Sequence, residues 1–369
     1  MSTSRRIESL LVVDDCPDES IRTVQLLKPA NHESKQMRSN RLISTIETHV
    51  EGLAYRVVTG GVGRIPGDSM RDRRNWMIEH GDDLRTLLMC EPRGHSALSG
   101  AILQPPTIPD VDYGVVFIEV TGFMPMCGAG TIAVATALVE SGMVPAREPV
   151  TTVRLETPLG LVTAEVVVES GRAANVTITG VPAYMYASDV ELEIDDYGSL
   201  TCDIVFGGNF YAMVELSALN IPYQREASDQ IIQAGLSIMR AVNDQYLPTH
   251  PTDPSISGCL NTIFIAPEST SLHTRHVMIN HPGWIDRSPS GTGTGARIAQ
   301  LVARGLMTQG EELINESFLG TRFVGRIAAA TEVGGQSAVL PRVSGRAWLT
   351  GTANYFRDPE DPFPAGFLL

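Results

Sequence analysis

The sequence predicts an α+β protein built from two similar halves, and three observations lead to that prediction. Short apolar runs of strand character alternate with turn residues over most of the chain, whereas helical patterns are few. A glycine-rich segment occurs twice, about half a chain apart. The 369 residues, 43% of them hydrophobic, supply enough apolar material for one large or two medium domains. The regular strand–helix alternation of a doubly wound sheet is missing, which disfavours that class.

The individual elements follow from residue type and period. β-Branched and aromatic residues between turn signals predict strands at 55–59, 113–118 and 161–168. Apolar residues at helical spacing predict helices at 69–88, 131–141, 229–243 and 295–305. No GxGxxG motif links a strand to a helix with an acidic residue about twenty positions further on, so a dinucleotide-binding fold is disfavoured.

Charge excludes two classes of partner. The chain has 28 Lys plus Arg against 42 Asp plus Glu, a formal charge of −14. Nucleic acids and anionic membrane surfaces attract positively charged proteins, so we expect no binding to either. The sequence contains no apolar run long enough for a membrane helix and no leader-like N-terminus, so we expect a cytoplasmic protein.

Lysine is almost absent from the chain. Its only lysines are Lys28 and Lys35, inside an N-terminal segment of mixed charge without sustained periodicity. We expect residues 1–40 to be a weakly ordered extension, with a regulatory or partner-binding arm as the alternative. Pyridoxal phosphate enzymes and phosphate-loop nucleotidases both depend on a lysine, so both classes are disfavoured.

The cysteines predict neither disulfides nor a metal site. There are five of them, widely spaced, with no CxxC pair and no His/Cys cluster at zinc-ligand spacing. Most fit the pattern of small buried side chains. Cys127 differs because of the glycine-rich segment that follows it.

The repeated segment is the most informative feature of the sequence. Residues 127–142 read CGAGTIAVATALVESG and residues 290–305 read SGTGTGARIAQLVARG, with seven of sixteen positions identical. The x-Gly-x-Gly-Thr opening is common to both. We infer two similar domains, each with a glycine-rich turn that opens a helix.

Such turns are suited to bind a carboxylate. The first N–H groups of a helix lack intrahelical partners and lie at the positive end of the helix dipole. Cys127 opens the first turn, where these groups stabilise a thiolate, and Ser290 opens the second. Asp286 lies four residues before Ser290 and is a candidate to hold a substrate ammonium group.

Several stretches together resemble the proline racemase family, over roughly residues 42 to 369. They are RVVTGG at 56–61, IPGD at 65–68, EPRGH at 91–95, MCG at 126–128, FGGNF at 206–210 and DRSP at 286–289. The resemblance implies a cofactor-free enzyme with the diaminopimelate-epimerase-like fold. In that fold two pseudo-symmetric α/β domains, each a sheet wrapped around a central helix, enclose the active site. It also implies a small imino acid substrate and a possible homodimer.

On this basis we divide the chain into an extension and two domains. Residues 41–200 form the first α/β domain, with 345–369 returning to it, and 201–344 form the second. The resemblance assigns carboxylate binding to backbone N–H groups of the two turns, and the ring nitrogen of the substrate to Asp286. The N–H groups are those of Gly128, Ala129, Gly130, Gly291 and Thr292.

Two positions depart from the family pattern. Family racemases have a second catalytic cysteine, and family dehydratases a threonine, where this chain has Ser290. A serine hydroxyl is far less acidic than a thiol, so symmetrical proton transfer between two thiols is not available. Ala129 replaces a histidine that usually follows the first cysteine by two residues.

Three functions are compatible with these residues. We favour dehydration of trans-3-hydroxy-L-proline to a pyrroline-2-carboxylate, with Cys127 removing the Cα proton and Ser290 in the hydrogen-bond path. The alternative is a proline racemase or 4-hydroxyproline epimerase in which Ser290 or a water donates the second proton. A third hypothesis is a non-catalytic imino-acid-binding or scaffold protein.

Overall fold

A computed structural model describes residues 41–358 and 360–368. The predicted extension at 1–40, with Lys28 and Lys35, lies outside this part of the chain. The helices are α1 Met70–His80, α2 Asp82–Met89, α3 Gly128–Glu140, α4 Ser228–Gln245 and α5 Gly291–Ala303. The strands are β1 Arg41–Val50, β2 Leu53–Gly60, β3 Ser99–Gln104, β4 Tyr113–Glu119, β5 Gly122–Met124, β6 Val150–Thr157, β7 Gly160–Glu169, β8 Arg172–Thr179, β9 Tyr184–Ile194, β10 Gly198–Phe206, β11 Phe210–Glu215, β12 Cys259–Ile265, β13 His273–Asn280, β14 Trp284–Ile285, β15 Glu312–Glu316, β16 Arg322–Val333, β17 Gln336–Gly345 and β18 Ala347–Arg357.

The first half of the sheet contains the last strand of the chain. Its strands pair in the order β18-β1-β2-β3-β4-β6-β7-β8. The pairs β2–β3 and β4–β6 are parallel and the others antiparallel. The short strand β5 forms a hairpin with β4 and leads directly into α3.

The second half repeats this pattern strand by strand. Its order is β9-β10-β11-β12-β13-β15-β16-β17, with β11–β12 and β13–β15 parallel. The short strand β14 pairs with β13 and leads into α5, as β5 leads into α3. The two halves join where β8 pairs with β17. The predicted α+β protein with two similar halves is confirmed, while the domain boundaries at 200 and 344 stay a prediction.

Each half wraps around one central helix. Every residue of α3 from Gly128 to Val139 is buried, and so is every residue of α5 from Gly291 to Leu301. Small and apolar residues dominate both helices, and the buried polar residues Arg297 and Gln300 of α5 have hydrogen-bond partners. The two helices therefore form the centres of the two cores, and their first turns are fixed by packing.

The predicted strands are confirmed as parts of β2, β4 and β7, and the predicted helix at 229–243 as α4. The single helix predicted at 69–88 is wrong, because the chain forms α1 and α2 instead. Gly81 ends α1 and precedes α2 with a non-helical backbone (φ −115°, ψ 7°). Helices α3 and α5 begin three and four residues earlier than predicted. No helix of the described residues is long and apolar enough to cross a membrane.

Candidate active site

The first turns of α3 and α5 meet head to head. A Cβ atom added to Gly128 would lie 2.7 Å from the Cα of Gly291, and one added to Gly291 would lie equally close to the Cα of Gly128. No side chain fits at either position. The two helix N-termini, with their unpaired N–H groups, therefore converge on one small region.

Cys127 is the N-cap residue of α3. Its Sγ accepts a hydrogen bond from the N–H of Gly130 at 3.2 Å, and its carbonyl accepts one from the hydroxyl of Thr131 at 2.9 Å. The thiol thus occupies the position of an ordinary capping oxygen. This geometry holds the sulfur at the helix end. It directs the sulfur to the seam, which is the region where the first turns of α3 and α5 meet.

Ser290 caps α5 in the same way. Its Oγ accepts from the N–H of Gly293 at 3.0 Å, and its carbonyl accepts from the hydroxyl of Thr294 at 2.6 Å. The matching hydroxyl bonds explain why both copies of the repeated segment have Thr at this position, and close packing excludes a side chain at Gly130 and Gly293. The backbone at Ser290 differs from that at Cys127, since its φ of 59° lies in the region that favours glycine. Such a conformation costs on the order of 1–3 kcal/mol and is typical of functional sites.

A row of three side chains from adjacent strands adjoins Cys127. Tyr55 on β2 is paired with Ser99 on β3, and Ser99 is paired with Glu119 on β4. The hydroxyl of Tyr55 donates to the carbonyl of Gly100 at 2.8 Å and also contacts the thiol. Because directly paired residues share one face of a sheet, all three side chains lie on the same side.

An equivalent row adjoins Ser290 in the second half. Tyr211 on β11 is paired with Asn261 on β12, and Asn261 with Asn280 on β13. The hydroxyl of Tyr211 lies 2.6 Å from the hydroxyl of Thr292, and Tyr211 borders the same cavity as Ser290. The two rows correspond strand for strand, but the first ends in a carboxylate and the second in an amide.

Two carboxylates line the cavity between these rows. Burial, together with the nearby charge of Asp286, raises the pKa of Glu119 to about 7. Burial likewise raises the pKa of Asp286 to about 6, although its Oδ1 accepts a hydrogen bond from the N–H of Ser288 at 2.8 Å. Both groups lack a countercharge strong enough to offset desolvation. They therefore favour a cationic ligand between them.

The N-terminus of α3 stabilises the Cys127 thiolate only in part, because other effects raise the pKa of the thiol. Burial raises the pKa of Cys127 to about 12, and the charge of Glu119 adds to the rise. The bond from the N–H of Gly130 lowers the pKa but does not outweigh these effects. The reason is that the carboxylates and the low polarity of the seam oppose a further negative charge.

The charges of the cavity match a zwitterion. Among the described residues that line it, the ionisable side chains besides Cys127 and Tyr211 are Glu119 and Asp286, and none is Arg, Lys or His. An anionic group must therefore bind to the helix N-termini. A cationic group can bind to the two carboxylates, those of Glu119 and Asp286. The described residues contain no group of three His, Cys, Asp or Glu side chains that could hold a metal ion.

The structure brings most of the predicted site residues to this one cavity. Those that line it are Cys127, Gly128, Ala129, Asp286, Ser290, Gly291 and Thr292. Gly130 lies beneath them, since a Cβ there would come within 2.1 Å of the Tyr55 hydroxyl. Its N–H group already bonds to the Cys127 thiol, which leaves the N–H groups nearer the helix start for a ligand.

Sequence reasoning missed several residues that line the cavity, among them six with polar or aromatic side chains: Ser99, Glu119, Tyr211, Asn261, Asn280 and Trp284. The sequence contained one signal for Glu119. A carboxylate directly after the apolar run 115–118 is unusual, because acidic side chains are rarely buried unless they have a function or a partner. The others lie on strands whose pairing depends on residues far away in the chain.

The cavity is small and adjoins a larger hollow. Its volume is about 30 Å³, room for about one water molecule. A neighbouring hollow of about 320 Å³ shares Met124, Asn209 and Asn261 with it. Arg71 of α1, in the first half, and Asp253, in the second half, form an ion pair of 3.3 Å. A ring-sized ligand needs more room than the smaller cavity offers.

Comparison with known proteins identifies the family. The family model described as proline racemase matches residues 45–368. A 4-hydroxyproline 2-epimerase of Streptosporangium roseum is 56% identical over 90% of this chain and 100% of its own. A trans-3-hydroxy-L-proline dehydratase of Burkholderia cenocepacia is 39% identical, with the same coverage.

A solved structure agrees with these sequence matches. A hydroxyproline epimerase from Agrobacterium vitis, with trans-4-hydroxy-L-proline bound, has a TM-score of 0.86 to this chain. The two are 33% identical, over 90% of this chain and 97% of that one. The expected diaminopimelate-epimerase-like fold is thereby confirmed. The chain belongs to the proline racemase family.

Proposed function

We propose that the protein epimerises 4-hydroxyproline at C2. One observation carries the proposal: Cys127 and Ser290 cap two helices whose N-termini meet, so a thiol and a hydroxyl lie at two sides of one cavity. Proton removal from one face of a carbon and delivery to the other requires such an arrangement. The 56% identity to a 4-hydroxyproline 2-epimerase supports this substrate.

The substrate binds as a zwitterion. Its carboxylate accepts hydrogen bonds from the backbone N–H groups of Gly128, Ala129, Gly291 and Thr292, where both helix dipoles are positive. Its ring ammonium lies beside Asp286. This arrangement orients C2 towards the seam between the two caps.

Two buried donors favour a hydroxylated ring. The Nδ2 of Asn280 and the Nε1 of Trp284 have no hydrogen-bond partner within the described chain, and both residues are about 95% buried. A buried donor without a partner costs about 1–3 kcal/mol. Because both residues line the cavity, a ring hydroxyl that accepts from either donor removes that cost. Proline itself cannot supply this bond.

Binding also prepares the thiol. Burial and, to a smaller extent, the charge of Glu119 raise the pKa of Cys127, so the thiol is protonated in the empty site. A bound ammonium group offsets the negative charge of the carboxylates, which lowers the pKa of Cys127 towards the working range. The thiolate then removes the C2 proton, and Ser290 supplies a proton to the opposite face.

Dehydration of trans-3-hydroxy-L-proline is the second candidate. A specific observation favours it: the second cap is a hydroxyl, Ser290, and not a thiol. In this reaction Cys127 removes the same proton, and the 3-hydroxyl leaves as water. The dehydratase relative, at 39% identity, is more distant than the epimerase relative at 56%.

Proton NMR in D₂O separates these functions. The protein is incubated with trans-4-hydroxy-L-proline, trans-3-hydroxy-L-proline and L-proline in separate samples. We expect the 4-hydroxy compound to lose its C2 proton signal and to give an epimer of otherwise unchanged structure. The Cys127→Ala variant is the control and should leave all three unchanged.

The other outcomes are equally clear. A pyrroline product from the 3-hydroxy compound, without epimer from the 4-hydroxy compound, supports the dehydratase and contradicts our proposal. No reaction with any of the three, combined with measurable binding, favours the non-catalytic binding protein.

A further inference from the structure

The tyrosines of the two equivalent rows make different hydrogen bonds. The hydroxyl of Tyr55 donates to the carbonyl of Gly100, which can only accept. The hydroxyl of Tyr211 instead meets the hydroxyl of Thr292 at 2.6 Å, and Tyr211 and Ser290 border the same small cavity. Hydroxyl groups both donate and accept, so a proton can pass along the second set, whereas the proton of Tyr55 is directed to a carbonyl oxygen.

The geometry of Ser290 fits a proton that passes through it. Its Oγ already accepts a hydrogen bond from the N–H of Gly293. A hydrogen bond donated by Tyr211 would occupy the second lone pair of this oxygen and leave the O–H of Ser290 for the cavity. Ser290 is 4% exposed and Tyr211 is 1% exposed, and both line the cavity.

Serine alone is a poor acid at this position. If Ser290 gave up its proton without replacement, an alkoxide would be left in a cavity that already holds two carboxylates. The usual pKa of a tyrosine is about 10, well below that of an aliphatic hydroxyl. Burial raises the pKa of Tyr211, while bonds from Thr292, Asn209 and Ser290 counter that rise.

We propose that Tyr211 is the source of the proton that Ser290 delivers to the substrate. The inference rests on the proposed function and names the acid for it. When Cys127 has removed the C2 proton, the O–H bond of Ser290 breaks as a C–H bond forms at C2. The proton of Tyr211 moves to Ser290 in the same step. The resulting phenolate regains a proton from water that fills the cavity after the product leaves. The Cys127 thiol stays protonated in the empty site and gives its proton to water when the next substrate binds.

Four proteins test the relay: wild type, Tyr211→Phe, Ser290→Cys, and the double variant. In Tyr211→Phe we expect kcat for epimerisation to fall about 100-fold, the usual size of a general-acid contribution. KM should stay within about twofold. In the Ser290→Cys background the loss of Tyr211 should cost less than about threefold in kcat, because a thiol with a pKa near 8.5 is its own acid.

Tyr223→Phe is the matched control. Its hydroxyl is also largely enclosed, and it donates to the carbonyl of His276 at 2.9 Å, away from the cavity. Removing it should leave kcat unchanged. An equal loss from Tyr211→Phe in both backgrounds means that Tyr211 is merely structural, and no loss in the wild-type background means that it gives no proton. Either result overturns the relay.

Two further outcomes are distinguishable. If Tyr211→Phe does not fold, the wild-type rate is measured in mixtures of H₂O and D₂O. A curved dependence on the deuterium fraction is expected when two protons move together, and a linear one overturns the relay. If neither the wild type nor Ser290→Cys turns over any of the three imino acids, the proposed function itself fails and the relay fails with it.

Discussion

Glu119 should make the folded protein less stable as pH rises. The pKa of its carboxyl is about 7 instead of the usual 4.5. The folded state therefore binds this proton more tightly than the unfolded state. The cost of ionising Glu119 is absent at pH 4, grows as pH rises through the window from about 4.5 to 7, and is complete above it. This difference between the folded and unfolded pKa of Glu119 lowers the free energy of unfolding by about 3 kcal/mol above pH 7.

The substitution Glu119→Gln removes this cost. Because the side chain borders a cavity that admits water, its charge is partly screened. We therefore expect Glu119→Gln to raise the free energy of unfolding by about 2 kcal/mol at pH 8.5. At pH 5 the gain should be below about 1 kcal/mol, since the native carboxyl is then largely protonated. Urea denaturation followed by tryptophan fluorescence at both pH values measures the difference.

A surface glutamate provides the control. Glu165 forms an ion pair with Arg342, and both side chains are more than a third exposed. Glu165→Gln should change the free energy of unfolding by less than about 0.5 kcal/mol at either pH. If Glu119→Gln is no more stable than the wild type at pH 8.5, the carboxylate is not destabilised by burial and the reasoning is refuted.

Three other variants test the site. Cys127→Ala should lower the rate at least about 100-fold without loss of folding by circular dichroism, since it removes the base; a folded variant with full activity contradicts this role. Gly128→Ala places a Cβ 2.7 Å from the Cα of Gly291, so we expect a loss of about 1–3 kcal/mol in thermal denaturation and weaker activity. Gly63→Ala, with open space around it, is the control and should be neutral. Asp286→Asn should raise KM by about tenfold or more through loss of the charged partner of the ring nitrogen; an unchanged KM in steady-state assays argues against that contact.

The sequence was sufficient to predict features that depend on residues close together in the chain. The capping bonds at Cys127 and Ser290 join residues three and four positions apart, so the repeated Gly and Thr are visible as a pattern. The helix starts follow from the same short-range bonds once the caps are recognised. One helix was predicted across Gly81, where the structure has two. The spacing of apolar residues does not reveal that Gly81 adopts a non-helical backbone conformation.

Features that depend on strand pairing were not predictable in this way. Tyr55 reaches Cys127 only through the register between β2 and β3, and Tyr211 reaches Ser290 through a parallel pair of strands. Shifting either register by one residue would turn these side chains to the other face of the sheet. The pKa of Cys127 depends on Glu119, whose place beside the thiol is set by the same pairing.

The pairing of β18 with β1 affects the order in which the protein is assembled during synthesis. Arg41–Val50 leaves the ribosome roughly 300 residues before Ala347–Arg357, its partner at the edge of the first half. At usual translation rates that interval is about 15 to 60 s. The strands β9 to β17 are synthesised without interruption and can complete the second half first. The nascent first half carries an unpaired strand edge for that time, a period in which chaperones that shield such edges would have their strongest effect.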